Sequence, residues 1–465
     1  MEPFKIKMVE EMSISSRSER ERVLKEAGYN PFLVPAKYVT YDLLTDSGTG
    51  SMSCLQWAAF MKGDESYAGA RSFLIFDKTA KDITGFHHVL PIHQARAAER
   101  ILFHVVVKEG SLVLGNGFLD TAKVHLERCG AIPVNISVNP SKSGDFNGDI
   151  QISLLERYIA RGKPEVSLMY LSVTSHRNGG QPVSMACVKA ISQICRKNQI
   201  PFYLEASRLP TNCWFVTSRE RAFAKRQPLQ IAREMFALCD GCLMSAKKDG
   251  ICNTGAFLAT NSSAHHTLFS QHLILAEGFV TYGGMTGRDM EAAAVGLMEA
   301  LDENYLRFRV ESLARFGEML KKRSVPIIEP VGGYAICIDA GTLLSHLDSS
   351  ANPAWALNCA LYLEGGIRGS EEGHIMKTDD SPGSKQLLRL ALPGRVYTYT
   401  HLQHISDAIA SVVARRTRVS GMRLMESSSP LRHFTAVLEP INREIFPSAT
   451  NGKDTAPQQN GYRRH

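Results

Sequence analysis

The stretch Gly241-Cys-Leu-Met-Ser-Ala-Lys-Lys-Asp-Gly250 decides how this chain is interpreted. It combines a short apolar segment, typical of a buried strand, with two adjacent lysines and then more small or apolar residues. Burial removes water from a lysine, lowers its pKa and can make it a nucleophile or base near neutral pH. Lys247 or Lys248 is therefore a candidate Schiff-base lysine. The alternative is an exposed pair at a strand end, and the seven residues from Met244 to Gly250 alone favour that alternative.

From about residue 100, apolar strands alternate with helices. The predicted strands are 111–114, 166–173, 201–205 and 241–245, and the predicted helices are 121–129, 184–198 and 230–238. This order predicts a mainly parallel sheet with crossover helices. Ligands bind beyond the carboxyl ends of such strands. His176, Glu205 and the lysine pair all follow strand ends, so we expect them to converge on one crevice.

The character of the chain changes after a long helical segment at 289–322. Strands at 325–328, 334–338 and 387–392, with helices at 353–364 and 401–415, predict a smaller α+β domain. The predicted organisation is an N-terminal arm with part of the small domain (1–45), a large cofactor-binding domain (46–310), the small domain (311–447) and a disordered tail (448–465).

Composition excludes several functional classes. The net charge is +7 over 465 residues, without a basic stripe interleaved with aromatics, which disfavours nucleic-acid binding. No run of about 18 apolar residues predicts a membrane span. Ten dispersed cysteines favour a reducing compartment, and we expect the cytoplasm. Cys239 and Cys242 form one C-x-x-C pair without a second pair, so buried thiols are favoured over a metal site.

Four residue groups together match what pyridoxal 5'-phosphate (PLP) requires. The cofactor needs a lysine, an anion site, a carboxylate for its ring nitrogen and a cation for the substrate carboxylate. The lysine pair, Gln94-Ala-Arg96, Glu205 and Arg389 are the respective candidates. Small residues opening a helix suit a phosphate, because free N–H groups face the anion. Thr45-Asp-Ser-Gly-Thr-Gly could hold a ligand or be a plain turn.

Eight further motifs give a more specific indication. They are Leu43-Leu-Thr-Asp-Ser-Gly-Thr, Gly63-Asp-Glu-Ser-Tyr-Ala-Gly, Gly179-Gly-Gln-Pro-Val-Ser, Met244-Ser-Ala-Lys-Lys-Asp, Tyr282-Gly-Gly, Glu329-Pro-Val-Gly-Gly, Arg395-Val-Tyr-Thr-Tyr and Leu431-Arg-His-Phe-Thr-Ala. Through them the chain resembles, over nearly its whole length, the β-eliminating lyases, the family of tryptophan indole-lyases and tyrosine phenol-lyases. The resemblance implies an α/β, fold-type I (aminotransferase-like) PLP enzyme, usually a homotetramer whose sites are shared across a dimer.

The resemblance also assigns roles to single residues. Lys248 would bind the cofactor and remove the α-proton, with Lys247 as its supporting neighbour. The residues matching cofactor ligands are Gln94, Ala95, Arg96, His176, Glu205, Arg208 and Ser245. Arg389, aided by Thr45 and Ser47, matches the anchor of the substrate carboxylate.

The resemblance extends to catalysis and to a cation site. Tyr67, contributed by a neighbouring subunit, would protonate the leaving ring, and the remaining fragment would hydrolyse to pyruvate and ammonia. Gly48, Glu65 and Asn253 match the family's site for a monovalent cation, usually potassium.

Four positions depart from the family pattern. Glu205 replaces an aspartate, His176 an asparagine and Ala95 a glycine. Ala95 is a mild change if its φ is negative. Glu372 stands where tyrosine phenol-lyases have arginine and tryptophanases an apolar residue. An acidic side chain there suits neither usual substrate, so we hypothesise that Glu372 accepts a hydrogen bond from a polar group on the substrate ring.

Asp120 and His433 match tryptophanases and not tyrosine phenol-lyases. They favour tryptophan or a substituted tryptophan as substrate. Two alternatives remain open. The altered cofactor contacts could favour β-replacement, retro-aldol cleavage or another α-carbon reaction in specialised metabolism. A non-catalytic homologue is the other alternative, against which the retained Lys248, Arg389 and Tyr67 argue.

Overall fold

The fold is taken from a computed structural model that describes residues 2–139, 144–175, 179–376, 385–426 and 431–448. Its strands are β1 (Tyr41–Asp42), β2 (His88–Ile92), β3 (Leu112–Gly115), β4 (Ile132–Asn135), β5 (Val166–Ser172), β6 (Phe202–Glu205), β7 (Gly241–Ser245), β8 (Ala256–Thr260), β9 (Ala335–Asp339), β10 (Ile367–Arg368), β11 (Ser370–Glu372), β12 (Leu387–Ala391), β13 (Met422–Glu426) and β14 (Val437–Pro440).

The α-helices connect and cover these strands. They are α1 (Arg17–Glu26), α2 (Cys54–Lys62), α3 (Arg71–Thr84), α4 (Ala95–Val106), α5 (Asp120–Arg128), α6 (Ile152–Arg161), α7 (Met185–Asn198), α8 (Leu209–Arg219), α9 (Pro228–Phe236), α10 (Ser263–Ala276), α11 (Gly287–Glu299), α12 (Glu303–Lys322), α13 (Ala340–Leu343), α14 (Pro353–Gly365) and α15 (Tyr399–Ala414).

A seven-stranded sheet in the order β2-β8-β7-β6-β5-β3-β4 forms the centre of the fold. Only β8 runs against its neighbours, so the carboxyl ends of the other six strands share one edge. The residues of β6 and β7 are all buried, because helices cover both faces of the sheet. The predicted mainly parallel sheet is therefore confirmed, and its shared edge is where a ligand site is expected.

A second hydrophobic core unites the two ends of the chain. Buried side chains from Val23 to Leu43 pack with others between Leu313 and Phe446. Parallel pairing of β1 with β10 fixes this contact, with Tyr41 opposite Ile367. Beside it, β11, β12 and β9 form a three-stranded antiparallel sheet. This small sheet carries Glu372 and Arg389 towards the crevice.

Some predicted elements were wrong. Residues 325–328 form no strand, and a single bridge joins Ile327 to Ile338. Pro326 has no N–H to donate, which prevents a regular ladder. The helical segment 289–322 is two helices, because Asp302 caps the start of α12 with a hydrogen bond from the Tyr305 N–H at 2.8 Å.

Two further observations concern the whole described chain. Among the described residues, no helix is both long enough and apolar enough to cross a membrane. The ten cysteines are all free thiols, and most of them are buried.

Candidate active site

The lysine pair lies at the shared edge of the central sheet, directly after β7. The Lys248 Nζ lies 3.6 Å from Oε1 of Glu205, the last residue of the adjacent strand β6. The Glu205 side chain is only 2% exposed. A buried carboxylate requires a compensating charge, and Lys248 supplies it. Neighbouring parallel strands thus bring together the two groups that the sequence placed at separate strand ends.

Ser207 holds the Glu205 carboxylate in place. The Ser207 N–H donates to Glu205 Oε1 at 3.3 Å, and its hydroxyl donates to the same oxygen. The Ser207 Oγ in turn accepts from the Ser245 N–H at 3.0 Å. Because Ser245 is the last residue of β7, this chain of hydrogen bonds fixes the carboxylate relative to the lysine turn.

Arg208 follows the same strand and is 2% exposed. Its two terminal nitrogens each bond Asp46 at 2.5 Å, and Nη1 also lies 3.2 Å from Asp249. The Tyr334 ring stacks 4.0 Å from the guanidinium carbon. Burial alone would raise the pKa of Asp46, but the charge and hydrogen bonds of Arg208, together with the charges of Arg309 and Lys248, lower that pKa to about 2. The Arg208 Nε is buried and has no hydrogen-bond partner among the described residues.

An anion site opens where β2 leads into α4. Gln94 is the N-cap residue of α4, and its side chain makes no capping hydrogen bond. The first N–H groups of a helix lack intrahelical acceptors and suit an anion. Burial and the charge of Arg96 lower the pKa of the half-buried Lys247. An anion between Arg96 and Lys247 would reduce the repulsion between their positive charges. Ala95 is the first residue of α4 and has a negative φ, so the backbone accommodates alanine in place of glycine at this position.

Arg389 and His433 lie near the same site, because the charges of Arg389 and Arg96 both act on the His433 imidazole. Glu372 Oε1 lies 2.7 Å from Arg389 Nη1, and the buried Arg389 Nε has no partner in the part of the chain that the structure describes. His433 is 2% exposed, and no described residue forms a hydrogen bond with its Nδ1. Burial, with the charges of Arg389 and Arg96, lowers the pKa of His433 to about 4. The imidazole is therefore neutral at physiological pH.

Comparison with known proteins now assigns the family. A family model described as beta-eliminating lyase matches residues 42–408. A tryptophanase of Salinibacter ruber (strain DSM 13855 / M31) is 42% identical over 461 residues, covering 97% of this chain and 98% of that protein. A tyrosine phenol-lyase of Intrasporangium calvum is 39% identical over 453 residues, covering 95% and 96%. The chain belongs to the β-eliminating lyase family.

Solved structures support the fold of this lyase. The Sphingomonas wittichii serine palmitoyltransferase superposes with a TM-score of 0.60 at 14% identity, over 86% of this chain and 96% of that one. The Leishmania major threonine aldolase gives 0.57 at 12% identity, over 80% and 99%. Such low identity shows the fold alone. The fold predicted from sequence, fold-type I, is confirmed, and the protein is a PLP-dependent lyase.

The crevice of the lyase fits PLP on its own geometry. The unpartnered Arg208 Nε is a buried donor that an oxygen of the cofactor would satisfy. Glu205 supplies a fixed carboxylate for the ring nitrogen. The start of α4, with Ser245 and Lys247, supplies donors and positive charge for the phosphate. Lys248 Nζ lies 3.6 Å from the Glu205 carboxylate, within reach of a cofactor whose ring nitrogen that carboxylate would hold.

Sequence reasoning missed Glu99, which belongs to the same site. Glu99 is 2% exposed on α4, and its carboxylate accepts from the Thr121 hydroxyl at 3.0 Å and from the Tyr170 hydroxyl at 3.5 Å. Burial and the nearby charge of Glu205 raise the pKa of Glu99 to about 7. An acidic residue on an otherwise apolar helix face was the available signal.

Asp46 and Asp249 were also missed, although both lie in quoted motifs. Asp249 accepts hydrogen bonds from the Thr211 N–H at 2.9 Å and from its hydroxyl at 2.6 Å, which ties the lysine turn to α8. Asp46 lies between Thr45 and Ser47 and reaches Arg208. The hydroxyl-rich turn is thus the loop that carries the ion-pair partner of the buried Arg208.

The structure does not bring every predicted residue into the crevice of one chain. Tyr67 is 72% exposed, and its ring packs on Phe279 and Tyr282. Glu65 bonds Arg288 at 2.8 Å and the Gly287 N–H at 3.2 Å. Neither is joined by a hydrogen bond or ion pair to the other site residues within the described chain.

The remaining predicted residues are placed as follows. Asn253 Nδ2 donates to the Gly48 carbonyl at 3.1 Å, beside the lysine turn. Thr45 Oγ1 accepts from the Ser47 N–H at 3.1 Å. Asp120 is the first residue of α5, next to the Thr121 that bonds Glu99. His176 lies outside the described residues.

Proposed function

We propose that this lyase cleaves the side chain from an aromatic L-amino acid, releasing the arene, pyruvate and ammonia. The observation that carries the proposal is the pairing of Lys248 with the buried Glu205, 3.6 Å apart in a crevice that Arg389 also lines. Lysine, carboxylate and arginine are the groups that such a reaction requires of the protein. Relatives at about 40% identity are named tryptophanase and tyrosine phenol-lyase, which supports this reaction class.

Each residue has a separate task in this proposal. When bound, PLP withdraws electrons from the α-carbon and so makes its proton acidic. Lys248 Nζ accepts that proton, and Arg389 orients the amino acid through its carboxylate. Glu205 keeps a negative charge at the ring nitrogen. Tyr67 of a second copy delivers a proton to the ring carbon of the leaving group, so that it departs as a neutral arene.

Tryptophan or a substituted tryptophan is the proposed substrate, in preference to tyrosine. Support comes from Asp120 and His433, which match the tryptophanase pattern. The His433 Nδ1 is buried and unpartnered, so it remains available to a ligand.

The direct experiment is to incubate the purified protein with PLP, potassium and a panel of amino acids. The panel contains tryptophan, ring-substituted tryptophans, tyrosine and serine, and pyruvate and the arene are assayed separately. We expect equal amounts of arene and pyruvate, with tryptophan or a substituted tryptophan ahead of tyrosine. Lys248→Ala is the negative control. Products other than arene and pyruvate would show that the protein catalyses another α-carbon reaction instead of β-elimination.

We further propose a homotetramer in which two copies share each active site. Tyr67 is exposed in the single chain, whereas its proposed role requires contact with substrate. Leu55 and Met61 of α2 and Leu74 of α3 are also large exposed apolar residues. Such residues indicate a protein interface. Analytical ultracentrifugation tests the stoichiometry, and a monomeric active enzyme would refute it.

A potassium ion is proposed beside the lysine turn. A Cβ added to Gly48 would lie 2.8 Å from Lys247 Cε and 2.9 Å from the Asn253 carbonyl oxygen, so these backbones adjoin closely. Glu65 would come from the second copy and complete an oxygen-rich site. Replacing KCl by choline chloride at equal ionic strength should lower the activity, and unchanged activity would exclude the ion.

The free thiols support a reducing compartment, for which we propose the cytoplasm.

A further inference from the structure

The sheet itself sets an acidic side chain against the proposed carboxylate anchor. In the antiparallel pair of β11 and β12, Arg389 lies opposite Ser370, two residues before Glu372. Alternate residues of a strand share a face, so Glu372 and Arg389 are diagonal neighbours on one face. Their side chains meet at 2.7 Å and are 7% and 17% exposed. The pairing therefore follows from strand register and burial, and it is not a mobile surface contact.

The pair leaves the guanidinium with one free edge. Glu372 accepts a hydrogen bond from Arg389 Nη1, while the buried Arg389 Nε has no partner within residues 2–139, 144–175, 179–376, 385–426 and 431–448. Burial alone would lower the pKa of Arg389, but the Glu372 carboxylate, together with Tyr334, Cys337 and Asp46, raises that pKa. The positive charge of the anchor is thus already compensated inside the chain. A substrate carboxylate approaching this guanidinium meets a second negative charge, which opposes its binding.

We propose that Glu372 competes with the substrate for Arg389. Its carboxylate holds the guanidinium in the free enzyme, and the carboxylate of the incoming amino acid displaces it. This inference rests on the proposed function, because that function makes Arg389 the anchor of the amino-acid carboxylate.

The exchange also selects a class of substrate. Once displaced, the Glu372 carboxylate remains buried and has lost its cationic partner. A buried carboxylate without a hydrogen-bond donor raises the free energy of the complex. A hydroxyl or amino substituent on the aromatic ring of the amino acid supplies that donor, whereas a hydrocarbon side chain does not. The chemistry that fits both residues is a carboxylate at one end and a hydrogen-bond donor on the side chain.

Binding of a simple ligand pair isolates the exchange from catalysis. 3-Phenylpropionate has a carboxylate but no α-amino group, and 3-phenylpropanamide is its uncharged counterpart. Isothermal titration of the PLP-loaded protein with each compound measures affinity without turnover. We expect Glu372→Gln to bind the carboxylate about tenfold more tightly or better, and the amide within about twofold of wild type.

Glu299→Gln is the matched control, because Glu299 forms a comparable ion pair with Arg395 at 2.9 Å outside the crevice. Glu299→Gln should change the affinity for neither 3-phenylpropionate nor 3-phenylpropanamide. Unchanged or weaker carboxylate binding by Glu372→Gln would overturn the inference. If that variant fails to fold, Glu372→Asp retains the charge but withdraws it by one methylene, and its carboxylate affinity should still rise. Equal affinity there would overturn the inference as well.

Release of pyruvate by the wild type is measured alongside. If the wild type releases pyruvate but Glu372→Gln leaves the carboxylate affinity unchanged, only the competition between Glu372 and the substrate is refuted. Absence of pyruvate from every aromatic amino acid refutes the proposed function.

Discussion

The carboxylate of Asp46 accepts a hydrogen bond from each terminal nitrogen of Arg208, at 2.5 Å for both. Arg309 of α12 bonds the same carboxylate at 2.8 Å. All three side chains are at most 5% exposed. One buried carboxylate therefore positions Arg208, and it ties that arginine to a helix outside the central sheet.

Asp46→Asn should lower both stability and cofactor affinity. Breaking a buried pair leaves an uncompensated charge, at a cost of about 3–5 kcal/mol. Urea unfolding with and without PLP measures the stability, and spectroscopic titration measures PLP affinity. Asp42→Asn is the matched control, because Asp42 pairs with Arg368 at 2.5 Å away from the crevice. It should cost some stability and leave PLP affinity intact. Loss of PLP affinity in both variants would mean that Asp46 has no specific role.

Glu99 should make the protein less stable as pH rises from 4.5 to 7. Its folded pKa of about 7 lies above the ordinary value of 4.5. In that window the native state keeps a proton that the unfolded state has lost. Stability therefore falls by up to about 3 kcal/mol and stays level above pH 7. Glu99→Gln should remove this loss. Urea unfolding at pH 5 and pH 8 measures it, and identical pH slopes for variant and wild type would contradict the assignment.

Sharing of sites between copies predicts complementation of two inactive variants. Tyr67→Phe should lower activity by about 10²–10⁴-fold, as for a lost general acid. Lys248→Ala should abolish it. In a mixed dimer one site combines the intact Lys248 of one copy with the intact Tyr67 of the other. Co-expression should therefore restore about a quarter of wild-type activity. No restored activity in confirmed mixed oligomers would show that each chain uses its own Tyr67.

Glu372→Ile should change substrate preference. The variant removes the acceptor that the wild type offers to a donor on the substrate side chain. We expect kcat/KM for hydroxylated or amino-bearing aromatic amino acids to fall relative to that for tryptophan by about tenfold or more, as for a lost hydrogen bond to a charged group. Competition kinetics with paired substrates measure the ratio. An unchanged ratio would show that Glu372 does not contact the ring substituent.

Local sequence pattern was sufficient for the central strands. The apolar runs of β5 and β7 and the helical spacing of α7 identified them to within a residue or two, because burial on both faces imposes a continuous apolar run. The direction of β8 could not be predicted in this way. A buried strand has the same composition whichever way it runs, and only its pairing with β2 and β7 fixes the direction.

Long-range pairs account for the site residues that sequence reasoning missed. Asp46 and Arg208 are 162 positions apart, and no local pattern links them. Glu99 was hidden in a helix whose other inward residues are apolar. Glu372 was singled out from the sequence, but its contact with Arg389 depends on the register of β11 and β12. Such contacts follow from tertiary structure and not from spacing along the chain.

The central claim is that Lys248, and not Lys247, binds the cofactor in front of Glu205. Borohydride reduction of the PLP-loaded protein makes the linkage permanent, and peptide mass spectrometry then locates it. We expect the modified residue to be Lys248, with no modification of this peptide in Lys248→Ala. Modification of Lys247 in the wild type, or an unmodified peptide, would contradict the account.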